Sequence, residues 1–429
     1  MLRPLLVAVA LLTLQAASFA QAPSPAQVLL ERGLSLLESN YYGFKPIDYA
    51  KLEVDAALKL RNLCVGQSAC PYSAGSSVLD ETLASLGDGH SFRLSANRFA
   101  QFNADAAGAK LPIVGLKFGE LPDAAALVIT RVREGSSAQA TGLKRGDVVL
   151  SVDGRALSEF RSAIDAVTFI TNLEFAGKPF TLGISRSTES PSVTTSSGAS
   201  FTRSTTFERP VTLTPELLTP WLPSYTLRPD GIAVITFYQY LTNNQIAAKV
   251  HASVRQAQAA NAKAVILDVR GSGGGSAFES LASAGAFMET TGVRFENKFG
   301  GGANVFENGA ISGTGFRIAN PAKFTGPLLV LTNRISRSAA EYMAYFLQRA
   351  GRAKVLGEPT AGVLNTSTTV SPLPDGGAIA VTSGRSLTLD GAAHPERIAP
   401  DTVITDDMVA LSKGRDVILE RAVQLLNQP

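Results

Sequence analysis

Between Trp221 and Gly357, short apolar runs alternate with helical stretches. Gly231 to Phe237, Ala264 to Val269, Pro327 to Thr332 and Ala353 to Gly357 read as strands, and Asn243 to Gln258, Ala277 to Thr290 and Ala339 to Arg349 read as helices. Neighbouring parallel strands need a long crossover, usually helical, so this order predicts an α/β region with a mostly parallel sheet flanked by helices. The rest of the chain has other textures. Ser24 to Leu86 is helical in pattern, with apolar residues at helix spacing in Ala26 to Leu37 and Tyr49 to Leu60. From about Leu111, short β-branched runs separated by glycine take over: Ile113 to Phe118, Ala126 to Val132 and Asp147 to Val152. A helix-like stretch, Glu159 to Thr168, and strands around Phe180 to Ser185 and Arg209 to Leu213 complete that unit. Ser187 to Thr206, dense in Ser and Thr, reads as a long surface hairpin or a disordered loop. With 429 residues, 45% of them hydrophobic, two or three domains are expected.

Ser338 falls where the strand ending at Thr332 gives way to the helix beginning at Ala339. A hydroxyl there faces the unpaired amides and the positive end of a helix, which favour developing negative charge. Acyl transfer needs a nucleophile on this kind of turn, followed by a backbone N–H for the oxyanion. The plain alternative is an N-cap. Two clusters lend Ser338 company. Ile266 to Ser276 is a strand followed by Asp268, Arg270 and a glycine run, whose bare amides suit an oxyanion hole. A phosphate loop is the competing reading, and no Lys-Ser/Thr pair follows the glycines to support it. Leu86-Gly87-Asp88-Gly89-His90-Ser91 presents a glycine-flanked histidine able to act as a base near neutral pH.

Residues 1–20 carry Arg3, an apolar stretch from Leu5 to Leu14, and small residues at Ser18 and Ala20. This is the pattern of a secretory leader, too short for a stable membrane span, with cleavage expected near Ala20 and a periplasmic or secreted product. No cysteine follows to accept a lipid, so no stable membrane anchor is expected. Cys64 and Cys70 would pair into a small loop in an oxidising compartment; two buried thiols are the alternative. Two cysteines and the scattered His90, His251 and His394 offer no metal-ligand spacing, so no metal is expected. The net charge of +3 is spread along the chain, which argues against nucleic acid as a partner.

Gly135 to Asp147, followed by Val148 to Gly154, closely resembles the central stretch of a PDZ domain. By resemblance to the permuted bacterial form, Val114-Gly115-Leu116 is the loop that holds a partner's terminal carboxylate and leads into the edge strand. A PDZ unit that only packs against an enzyme is the other possibility. Taken in order, Gly87 to Ser91, the PDZ run, Leu267 to Gly275, Asn333 to Glu341, Gly357 to Gly362 and Glu396 to Asp401 resemble the C-terminal-processing, or tail-specific, serine peptidase family. That resemblance implies a leader over 1–20, a helical N-terminal subdomain over 21–105, an inserted PDZ domain over 106–218 and a mostly parallel-sheet β/α peptidase core, with crotonase-like ββα repeats, over 219–429. It also implies a protein or peptide substrate engaged through a C-terminal or unfolded tail, and no cofactor. A homo-oligomer or an activating adaptor is compatible with it.

In the Ser–Lys branch of the family, a lysine directly follows the Gly-Glu-Pro-Thr-x-Gly stretch; here Val363 stands there and cannot take a proton. The chain therefore resembles the tricorn-core-like Ser–His–Glu branch, which implies Ser338 as nucleophile, His90 as general base and then acid, and Glu396 as the orienting carboxylate. The oxyanion donors would be the amides of Ala339 and of Gly273 or Gly274. In that branch a serine commonly precedes the histidine, whereas this chain has Gly89, so the relay is either a simple triad or one completed by a hydroxyl from elsewhere. His394, two residues from Glu396, is a rival base. The runner-up function is a non-catalytic peptide- or hydrophobic-ligand-binding protein on the same scaffold.

Overall fold

The computed structural model describes residues 22–428 except 68, 123–124, 190–192, 195–199, 202–203 and 243. The leader expected over residues 1–20 and its expected cleavage near Ala20 lie outside the described residues. The central sheet runs in the order Ser224–Leu227, Ile232–Thr236, Ala264–Asp268, Leu328–Thr332, Lys354–Gly357 and Thr402–Val403. All neighbours are parallel except the first pair. Its inner strands Ala264–Asp268 and Leu328–Thr332 are buried on both faces, as parallel strands are when helices cover each side. Val265 and Leu267 face a core shared with the helices Ile246–Ala259, Ala277–Ala284 and Ala339–Arg349, while Ala264 and Ile266 face Ile418 and Ala422 of the helix Val417–Leu426. Alternation along one strand thus feeds two cores. A fully buried Leu or Ile here, such as Leu267 or Ile266, would cost about 2–5 kcal/mol if cut to alanine.

A second, antiparallel sheet joins Phe92–Leu94, Ala378–Leu387, Thr291–Asn297, Gly300–Glu307 and Ala310–Ile311, with Thr366–Pro372 also pairing with Ala378–Leu387. The N-terminal helices Pro25–Asn40, Tyr49–Cys64 and Tyr72–Ser85 share their core with Ile379 and Val381 of this sheet. Cys64 and Cys70 are disulfide-bonded, with 5.5 Å between Cα atoms.

The middle unit is an antiparallel sheet in the order Ser204–Leu213, Phe180–Glu189, Val148–Val152, Ala126–Val132 and Leu116–Leu121, with Leu116–Leu121 at its edge. Its way in and way out are tied together by pairing of Leu111–Ile113 with Glu216–Leu218. The expected helix over Glu159 to Thr168 lies later, at Ala163–Phe175. The Ser162 hydroxyl accepts from the Asp165 amide and caps that start, while Leu157–Glu159 closes as a separate 3-10 turn. The unit meets the core through charge: Arg131 pairs with Asp268 at 2.7 Å and Arg145 with Asp416 at 2.7 Å.

Candidate active site

The turn after Leu328–Thr332 is built on Asn333. Its side-chain oxygen accepts from the amides of Gly271, Ile335 and Ser336, and its Nδ2 donates to Asp406. One amide side chain thereby ties the glycine run to the serine turn. The Arg337 amide adds a bond to the Ser272 carbonyl at 3.0 Å. Ser338 then adopts φ +54° and ψ −115°, a backbone state that a non-glycine residue takes only when its surroundings compel it. Its hydroxyl makes no capping bond. The helix start is satisfied instead by Glu341, whose Oε2 accepts from the Ser338 amide at 2.8 Å, so the half-buried Ser338 hydroxyl is left uncommitted.

Glu341 is fully buried and binds more than the serine turn. Oε2 also accepts from the Val363 amide at 3.1 Å, and Oε1 accepts from Thr360 Oγ1 at 2.6 Å and the Gly362 amide at 3.0 Å. Burial pushes its carboxyl above the ordinary range while these four donors pull it back.

The glycine run packs directly on the serine. A methyl group added at Gly274, whose φ is +90°, would lie 2.6 Å from the Arg337 carbonyl oxygen and 2.8 Å from Ser338 Cβ. The amides of Gly273, Gly274 and Ala339 have no acceptor among the described residues. They are donors beside an uncommitted hydroxyl, which is what an oxyanion hole requires.

His90 is buried at 4% exposure in the loop after the helix Tyr72–Ser85. Asp88 shapes that loop: its Oδ1 accepts from the amides of His90 and Ser91, and its Oδ2 from Ser91 Oγ. Arg337 donates to the Gly89 carbonyl, and a methyl at Gly89 would touch Val363 Cγ1 at 3.4 Å, so the histidine loop sits against the residue before Ser338 and the loop held by Glu341. His90 Nδ1 lies 2.9 Å from Thr366 Oγ1. Burial, with the Arg337 guanidinium close by, pushes His90 down to about 3, so its ring is neutral at ordinary pH. Among the described residues no hydrogen bond joins Ser338 Oγ to His90, the looser geometry common in a site without substrate.

The remaining expected residues are placed elsewhere. Glu396 carries an exposed side chain whose nearest cation is Arg397 at 3.8 Å; only its carbonyl, which accepts from the Leu364 amide, faces the site loop. His394 is buried against Tyr342, Tyr345 and Phe346, with Nδ1 on Ser386 Oγ at 2.9 Å. Tyr345 and Phe346 lie about two helical turns beyond Ser338, or roughly 10 Å. His251 is held by backbone on both ring nitrogens. Among the described residues no group of three His, Cys, Asp or Glu side chains gathers to hold a metal.

In the middle unit, Gly115 has φ +84° and the Leu116–Leu121 edge faces the helix Ala163–Phe175 across a cavity of about 510 Å3. That cavity runs from Leu116 and Val167 to Trp221, Gly271 and Asn333, at the foot of the glycine run. The Val114 amide donates to Glu174 Oε1 at 2.8 Å, and burial raises the Glu174 carboxyl to about 7. Thr366, Glu341 and Glu174 had no assigned role in the sequence reading. The Ser-x-x-Glu spacing of a capping box announces Glu341; no local signal announces the other two.

The profile of peptidase family S41 matches residues 231–404, and that of the PDZ domain matches residues 109–176. A carboxyl-terminal-processing protease of Picosynechococcus sp. is 26% identical over 361 residues, covering 82% of this chain and 78% of its own. A protein of the same name from Synechocystis sp. is 26% identical over 358 residues, covering 81% of this chain and 76% of its own. The solved structure of a putative S41 protease from Bacteroides fragilis superposes with a TM-score of 0.58 at 16% identity, covering 90% of this chain and 98% of that one, and so shares the fold. Residues 231–404 are thus a peptidase family S41 domain and residues 109–176 a PDZ domain, which makes the chain a serine-type protease with a PDZ domain and a homologue of the carboxyl-terminal-processing proteases.

Proposed function

We propose that this chain is an exported endopeptidase that hydrolyses protein or peptide substrates by a Ser–His mechanism and engages them through a C-terminal or unfolded tail. The observation that carries the chemistry is the Ser338 hydroxyl, held at a strained helix start without a capping duty and flanked by the uncommitted amides of Ala339, Gly273 and Gly274. Ser338 Oγ attacks the substrate carbonyl as its proton passes to His90 Nε2, and the oxyanion rests on those amides. The leaving amine takes that proton from His90. Water, activated by the same nitrogen, then releases the acyl group from Ser338. No cofactor enters any step.

Tail engagement is supported by the open edge strand Leu116–Leu121, the Val114-Gly115-Leu116 loop, and the cavity leading from them toward Gly271. The relatives' name, carboxyl-terminal-processing protease, points the same way. Export is supported by the leader pattern of residues 1–20 and by the Cys64–Cys70 disulfide. No helix of the described residues is long and apolar enough to cross a membrane.

The test is hydrolysis of an unfolded, fluorescently labelled protein by the mature chain beside Ser338→Ala and His90→Ala. Loss of cleavage in both variants, with folding intact, is the expected result. Equal residual cleavage in either variant removes that residue from the mechanism, and binding of a labelled tail without cleavage by any of the three favours a binding protein on this scaffold. N-terminal sequencing of the exported product, expected to begin near Gln21, tests the leader.

A further inference from the structure

A buried imidazole that is to accept a proton on one nitrogen must have its other N–H held by an acceptor, or the ring loses both its tautomer and its orientation. Around His90 the carboxylates are already engaged. Asp88 spends Oδ1 on two amides and Oδ2 on Ser91 Oγ. Both oxygens of Glu341 are taken by Ser338, Thr360, Gly362 and Val363. Glu396 points to solvent beside Arg397. What meets Nδ1 is the hydroxyl of Thr366, buried, 2.9 Å away and 276 residues distant in the chain.

We propose that Thr366 is the positioning residue of the site: its Oγ1 accepts from His90 Nδ1–H, leaving Nε2 bare for the Ser338 proton, and this neutral hydroxyl takes the place in which the related branch uses a glutamate. The assignment rests on Ser338 and His90 acting as proposed above. It explains how the chain manages with Gly89 in front of the histidine. A hydroxyl fixes the ring without adding charge, so it leaves the low proton affinity that burial and Arg337 impose on His90 in place. Thr366 stands at the start of the strand Thr366–Pro372, whose pairing with Ala378–Leu387 holds its backbone, and hence its hydroxyl, in register.

The test has two independent arms. In the first, the three histidines of the chain are labelled with 15N in the inactive Ser338→Ala protein at pH 7, and the tautomer of each ring is read by NMR. The expected result for His90 is a protonated Nδ1 and a bare Nε2; a protonated Nε2 overturns the proposal whatever the activity. In the second, Thr366→Val, which keeps the shape and removes the hydroxyl, lowers kcat by about tenfold or more with KM within about twofold, Thr366→Ser restores most of the rate, and Glu396→Gln stays within about threefold of wild type. Wild-type kcat in Thr366→Val, or a loss in Glu396→Gln as deep as in His90→Ala, overturns it in favour of Glu396. The peptidase reading fails separately, if Ser338→Ala and His90→Ala cleave as the wild type does.

Discussion

Two loops in this molecule are built on the same device and left in opposite states. Val114-Gly115-Leu116 and Ser272-Gly273-Gly274 each follow a strand, each turn on a glycine of positive φ (+84° at Gly115, +90° at Gly274), and each present backbone amides that suit an anion. In the core the amides of Gly273, Gly274 and Ala339 stand without acceptors among the described residues. In the PDZ domain the first amide is already taken, by the side chain of Glu174. The difference teaches that the amides beside Ser338 are left open in advance, whereas the Val114 loop holds a carboxylate of its own, against which any carboxylate arriving there would have to compete.

The largest effect should come from Gly274→Ala. The added methyl collides with Arg337 O and Ser338 Cβ. Misplacing one oxyanion donor costs about 100- to 1000-fold in kcat. Tail binding, measured by fluorescence anisotropy of a labelled C-terminal peptide, should not change; a parallel loss of binding would break the separation of the two loops. Glu174→Gln should do the reverse, tightening binding of a free-carboxylate peptide by about threefold to tenfold at pH 8 through loss of like-charge repulsion, while turnover of a short untethered peptide stays constant. Because burial raises Glu174 from 4.5 to about 7, the wild type becomes neutral below that pH and the two proteins should converge near pH 5. An equal gap at pH 5 and pH 8 would remove charge as the cause. The raised carboxyl also makes its contribution to stability complete below 4.5 and lost as pH rises through 7.

His90 titrates in the other direction. Pushed down from 6.5 to about 3, it stays a free base, so kcat for a short peptide should lack the inflection near 6.5 of an ordinary histidine. The same shift makes its contribution to stability complete above 6.5 and lost as pH falls toward 3, visible as a steeper acid loss of denaturation midpoint in the wild type than in His90→Gln. Smallest of all should be Val363→Ala. It removes two methyl groups from the wall beside Gly89 and should change kcat by less than about threefold; a large loss with the fold intact would count against a histidine base.

Much of this was legible in the chain because it depends on local pattern. The parallel strands are continuous apolar runs, and the serine turn, the glycine run and the glycine-flanked histidine are short motifs. The antiparallel sheet was not. Thr366–Pro372 is polar on both faces and Gly300–Glu307 opens with three glycines, so neither carries a period of two, and only pairing with partners far along the chain makes them strands. Glu396 shows a different limit. A motif locates a backbone, and at Glu396 the carbonyl does face the site through Leu364, yet the carboxylate turns outward, a choice that local sequence does not record. Thr366 and Glu174 meet His90 and Val114 across folds of the chain, and those contacts were invisible for the same reason.

The Glu341 carboxylate clamps the amide of Ser338 and the amide of Val363 to one oxygen, and Val363 in turn lies against the histidine loop. The wall of the histidine loop and the amide of Ser338 are therefore fixed to a single buried carboxylate oxygen, so that a shift of one is felt by the other. Because Glu341 holds position 363 by its backbone amide, the side chain there can change without loosening that tie.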